Sequence, residues 1–76
     1  MITKKLFRTI QELQELQRLA TMCPSDIGLH ALDGKTIVDA KSYIGMYSLD
    51  FTQPILVVSE DAHFHSLIRG IGETVE

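Results

Sequence analysis

The sequence has no tryptophan, one cysteine, two prolines and a deficit of basic side chains, seven Lys and Arg against ten Asp and Glu. A single thiol cannot close an internal disulfide, so Cys23 points to a reduced, intracellular setting in which a lone cysteine serves as packing. No long hydrophobic run is present. The longest purely apolar stretch is Ile55-Leu56-Val57-Val58, far below the roughly 20 residues that span a membrane. At the N-terminus Lys4, Lys5 and Arg8 interrupt Leu6 and Phe7, so no signal-peptide core is seen there. These features predict a soluble cytoplasmic protein that engages no membrane. The net charge of −3, with only Lys4 and Lys5 adjacent among the basic residues, argues against nucleic acid as a partner.

What is there fits one small domain, residues 1–76, with 45% hydrophobic residues. Ordering 76 residues costs on the order of 100 kcal/mol at roughly 1.5 kcal/mol each, so nearly every apolar side chain is needed for the core. Little remains to wall a deep substrate cavity of about 300–1,000 Å³. An enzyme with a buried active site is not expected; a surface that carries a small group or docks on a partner is.

Residues 1–8 read weakly as an opening strand. Thr9-Ile10-Gln11-Glu12 then has the form of a capping box, with the Thr hydroxyl accepting from the third amide and Glu12 reaching back. Ile10, Leu13, Leu16, Leu19 and Ala20 recur at three- and four-residue steps, which predicts an amphipathic helix of about 12–14 residues ended by Pro24. Asp33-Gly34 signals a hairpin, read as a type I′ turn. Folding about it pairs Ala31 with Thr36, Leu29 with Val38 and Ile27 with Ala40 on one face, leaving Gly28, His30, Ile37 and Asp39 on the other. Strands are expected near 27–32 and 35–40.

Ser42 is placed to cap a short helix running from Tyr43 to Leu49. After a loop from Asp50 to Pro54, residues 55–59 read as a strand buried on both faces. Phe64, Leu67, Ile68, Ile71 and Val75 have the spacing of one helical stripe, although Gly70 and Gly72 weaken that helix by about 1 kcal/mol each. Phe64, Leu67, Ile68 and Ile71 are expected in the core. The order β-α-β-β-α-β-α then stacks helices on one face of a four-stranded antiparallel sheet, an α+β open-faced sandwich.

This order and the segment Lys41-Ser42-Tyr43-Ile44-Gly45-Met46-Tyr47-Ser48-Leu49 resemble HPr, the phosphocarrier of the bacterial sugar phosphotransferase system. The family's usual form here is Lys-Ser, two apolar residues, Gly, two apolar residues, Ser and Leu. The resemblance covers about half the chain well and the first 25 residues in pattern only. It implies an HPr-like fold and a phosphate carried on a histidine at the start of the first long helix, with an arginine two residues later. Threading along the chain puts Thr9 at the histidine position and Gln11 at the arginine position; Arg8 is adjacent but displaced. A neutral imidazole is a good nucleophile and forms a labile phosphoramidate, whereas a threonine hydroxyl needs a base and gives a stable ester. Thr9 keeps the cap and loses the carrier chemistry.

The three histidines do not replace it. His30 is expected on the open face of the hairpin, and His63 and His65 on the surface or at the start of the last helix. At i, i+2 their side chains diverge by about 200° and cannot chelate one metal. No metal and no cofactor are expected. The resemblance promotes Ser42, whose counterpart in many Gram-positive relatives is phosphorylated by an ATP-dependent kinase, and the patch Tyr43, Ile44, Met46 and Tyr47, which partners share in that family. The partners implied are proteins: an HPr kinase, a transcriptional regulator or other phosphotransferase-system components. The expected role is regulatory, without histidine phosphotransfer. The alternatives are a carrier using Thr9 or one of the histidines, and a scaffold that is never phosphorylated.

Overall fold

A computed structural model describes residues 1–75, with Tyr43 described by its backbone alone. Strand β1, Ile2–Leu6, leads through Phe7 and Arg8 to helix α1, Ile10–Met22. The capping box forms as the sequence predicts. Thr9 is extended at φ −130° and ψ 155°, its hydroxyl accepts from the Glu12 amide, and the Glu12 side chain accepts from the Thr9 amide. At the other end Cys23 is extended, ahead of Pro24. The buried stripe of α1 is Leu13, Leu16, Gln17 and Ala20, while Ile10 is exposed. The stripe therefore starts one turn later than expected and includes a glutamine.

β2, Gly28–Ala31, and β3, Ile37–Asp39, form the expected hairpin in the expected register. Leu29 pairs with Val38, the Ala31 amide donates to Thr36 O at 2.9 Å, and the Ala40 amide donates to Ile27 O at 3.0 Å. The turn is not type I′, because only Gly34 has a positive φ, 74°. Instead the Gly34 amide closes a four-residue turn onto Ala31 O, and Asp33 Oδ1 accepts from the Lys35 amide. Ile27, Leu29 and Ala40 are buried, and Ile37 and Asp39 on the opposite face are exposed.

Helix α2, Tyr43–Met46, is shorter than expected and continues only as turns to Leu49. β4, Ile55–Val58, buries Ile55 and Val57 fully but leaves Leu56 and Val58 half-buried, so one face rather than both meets the helices. The sheet is open on its other side.

The largest departure is at the C-terminus. Helix α3, Ala62–Leu67, gives way to one 3-10 turn, Ile68–Gly70, and then to a fifth strand, β5, Glu73–Thr74. The helical path ends at Ile71, which is extended, and Gly72 then takes φ 66°, a left-handed conformation that turns the chain onto β1. A Cβ there would lie 2.8 Å from Leu6 O and 2.9 Å from Phe7 Cδ1, so the strands approach closely because residue 72 has no side chain. Ile71 and Val75 thus leave the helical stripe, and the Val75 amide donates to Lys4 O at 2.8 Å. Leu67, expected in the core, is 43% exposed.

Among the described residues the sheet has five antiparallel strands in the order β3-β2-β4-β1-β5, not four. α1 and α3 contact one another, and α2 lies against β3. Leu16, Ala20, Leu29, Val57, Phe64 and Ile68 belong to one core. Among the described residues no helix is long and apolar enough to cross a membrane.

Candidate functional site

Two segments singled out by the sequence hold the site: the start of α1 and the start of α2. At α1 the Glu12 carboxylate accepts from the Arg8 amide at 2.7 Å and the Thr9 amide at 3.0 Å, while Thr9 Oγ1 accepts from the Glu12 amide at 3.1 Å. The Arg8 amide above all holds the Glu12 carboxyl below the usual glutamate value. Glu12 is therefore a weak base, poorly suited to activate the Thr9 hydroxyl. Gln11, at the expected arginine position, is exposed. The nearby cation is Arg8, and its guanidinium pairs with Glu73 of β5 at 3.1 Å.

Beside this helix end lies an open cleft of about 460 Å³, lined by residues including Leu6, Phe7, Thr9, Ile10, Phe51 and Thr52. Phe51 reaches it from the loop after α2 and packs edge-on against Phe7, centroid to centroid 6.4 Å. The loop from α2 thereby helps wall the cleft at Thr9. Ser42, Ile44 and Tyr47 do not line it.

At α2, Ser42 is half-buried and extended, φ −89° and ψ 119°, and its hydroxyl accepts from the Gly45 amide at 3.1 Å. A Cβ at position 45 would stand 3.0 Å from Ser42 Oγ, so glycine there keeps the cap close. Of the four residues expected to form a partner patch, Ile44 is 89% exposed and Tyr47 48% exposed. Met46 is fully buried in the core, because the short helix must turn one residue against the sheet; it leaves the patch. The Tyr43 side chain lies outside the described part of the structure.

The histidines divide differently from expectation. His30 is half-buried and His63 exposed, but His65 is buried. Its Nε2 lies 2.9 Å from Ser59 O, which only accepts, so Nε2 carries a proton. With neutral imidazole, Nδ1 then accepts from Thr3 Oγ1 at 2.6 Å. Both ring nitrogens are engaged in tying α3 to β1 and to the end of β4. His65 is a structural connector, which its polar type concealed in the sequence.

Two further residues, Lys5 and Asp61, make contacts that the sequence pattern did not foretell. Lys5 is buried on the helix-covered face, with Nζ 3.1 Å from Thr74 Oγ1. Burial pushes its amine below the usual lysine value, and the charge of Glu12 partly opposes this. Asp61 caps α3 and accepts from Cys23 Sγ at 3.0 Å and Ser25 Oγ at 3.3 Å, joining the end of α1 to the start of α3. The Cys23 thiol is the chief reason that the Asp61 carboxyl lies below its usual value, with the Phe64 amide adding to it. Among the described residues no group of three or more His, Cys, Asp or Glu side chains could hold a metal ion.

A comparison of the chain with protein-family models, curated proteins and solved structures finds no match in any of the three.

Proposed function

We propose that this chain is an HPr-like regulatory docking protein of the phosphoenolpyruvate-dependent sugar phosphotransferase system, without histidine phosphotransfer and switched by phosphorylation of Ser42. The observation that carries this reading is the Ser42 cap, a half-buried serine followed by the exposed side chains of Ile44 and Tyr47. A phosphate there adds about −1.5 to −2 charges at a helix start, where the exposed amides and the peptide dipole favour an anion. The apolar surface beside it becomes strongly acidic without a change of fold. A partner that docks on Ile44 and Tyr47 would gain or lose affinity according to the charge it presents.

Thr9 supports the loss of the carrier role. Its hydroxyl is engaged as a helix cap, and Glu12, the nearest carboxylate, is a poor base. Partners on this reading are an HPr kinase, a transcriptional regulator or other components of the system, and the protein itself is not an enzyme. Incubation with enzyme I and phosphoenolpyruvate tests the carrier half of the reading. We expect no acid-labile, base-stable phosphate on the chain. Such a phosphate on any histidine would overturn it.

A further inference from the structure

The edge strand β3 carries a second surface, independent of the Ser42 reading. In the order β3-β2-β4-β1-β5 it has a neighbour on one side only among the described residues. The ladder with β2 decides which of its backbone groups face outward. The Ala31 amide donates to Thr36 O and the Ala40 amide to Ile27 O, with Leu29 opposite Val38 between them. These are the hydrogen-bonded pairs, so Thr36, Val38 and Ala40 turn their polar backbone groups toward β2. The N–H and C=O of Ile37, the N–H of Asp39 and the C=O of Lys35 therefore point away from the sheet. Two other groups on that side are spent within the chain. The Lys35 amide donates to Asp33 Oδ1 at 2.8 Å, and Asp39 O accepts from the Ser42 amide at 3.0 Å.

This edge is complementary to itself. With a second copy laid antiparallel and Ile37 opposite Ile37, the two isoleucines exchange a pair of backbone bonds. Lys35 then falls opposite Asp39 at both ends, as the two-fold symmetry of such a contact requires. There the Asp39 amide of one copy meets Lys35 O of the other. The two groups left over in that pair, the Lys35 amide and Asp39 O, are the two already engaged, so the register strands neither of them.

The side chains agree with the same register. Lys35 and Asp39 have opposite charge, both are exposed, and neither belongs to an ion pair among the described residues. Asp39 Oδ1 accepts from the Lys41 amide, which leaves Oδ2 to face a cation. Ile37 is 61% exposed, and at the two-fold axis it would cover its own counterpart. Proline and lysine commonly guard an open sheet edge. β3 has no proline, and the lysine that precedes it meets an aspartate in this pairing.

We propose that two copies of this chain associate edge to edge through β3, antiparallel about Ile37, joining their sheets into one. Backbone pairing supplies the contact, and the two Lys35–Asp39 pairs fix its register.

Sedimentation equilibrium and amide NMR test this on the unphosphorylated chain, from micromolar to millimolar concentration at low salt. The mass should rise from 8.5 kDa toward twice that value, with hydrogen exchange slowing at the Ile37 and Asp39 amides. Ile37→Pro removes an outward N–H that β2 does not use, and it should stay monomeric. Lys35→Gln and Asp39→Asn should each associate about fivefold more weakly, although they change the net charge in opposite directions. Asn keeps an acceptor for the Lys41 amide, so both exposed variants should melt close to wild type. A chain that stays monomeric at millimolar concentration would overturn the proposal. So would unchanged association in Ile37→Pro, tighter association in Asp39→Asn, or exchange that slows elsewhere and not at Ile37.

Discussion

Lys5 holds an amine under the helices with one hydroxyl partner, where a hydrocarbon chain would fill the same space at lower cost. Its folded pKa lies below the ordinary 10.5, chiefly through burial. Between the folded value and 10.5 the unfolded chain binds more protons than the native one, so unfolding free energy should rise with pH across that interval. Lys5→Met should remove this rise and leave the protein about 1 kcal/mol more stable at pH 7, a Tm gain of roughly 4–8 °C. Chemical denaturation of both proteins between pH 7 and 10.5 checks it; a variant less stable at pH 7 would show that the amine makes a favourable contact. Thr9 offers the opposite case, a polar side chain that stabilises by capping. Thr9→Ala should cost about 0.5–2 kcal/mol in the same assay, and a loss under about 0.2 kcal/mol would mean that the box contributes nothing.

The elements were legible where local chemistry acts alone. Thr9 with Glu12 and Pro24 bracket α1, the pairing of Leu29 with Val38 follows from alternation, and Ser42 caps the short helix α2. The reading failed where a tertiary contact decided. Gln17 joins the buried stripe of α1 although its type argues against burial, and its Nε2 has no hydrogen-bond partner among the described residues. His65 is buried because Thr3 and the Ser59 carbonyl, distant in sequence or in an adjoining segment, meet both ring nitrogens. The stripe through Val75 has helical spacing, yet Gly72 turns the chain back along β1 and produces a fifth strand. Glycine at 72 was visible; the proximity of Leu6 O and Phe7 that makes it necessary was not. Gly72→Ala places a Cβ against both and imposes a left-handed backbone, which alone costs about 1–2 kcal/mol. We expect a loss of at least about 2 kcal/mol with faster hydrogen exchange at Val75. Unchanged exchange there would mean that β5 does not depend on the turn.

For the whole molecule, the candidate surfaces were less legible than the fold. Thr9, Gln11, Ser42, Ile44 and Tyr47 fall at helix starts or on exposed surface, but Met46 is core. Burial of a four-residue helix is set by its angle to β3, which spacing does not encode. Nor does the sequence indicate that Phe51 crosses to Phe7 and brings the loop after α2 to the start of α1. Around these surfaces one small core is shared by α1, α2, α3 and a sheet open on one face. Such a scaffold suits a protein that changes partners by changing surface charge. Intact-mass measurement after incubation with an HPr kinase and ATP tests that account most directly. The account predicts one added phosphate on the wild-type chain and none on Ser42→Ala; an unmodified wild type, or equal labelling of both proteins, would contradict it.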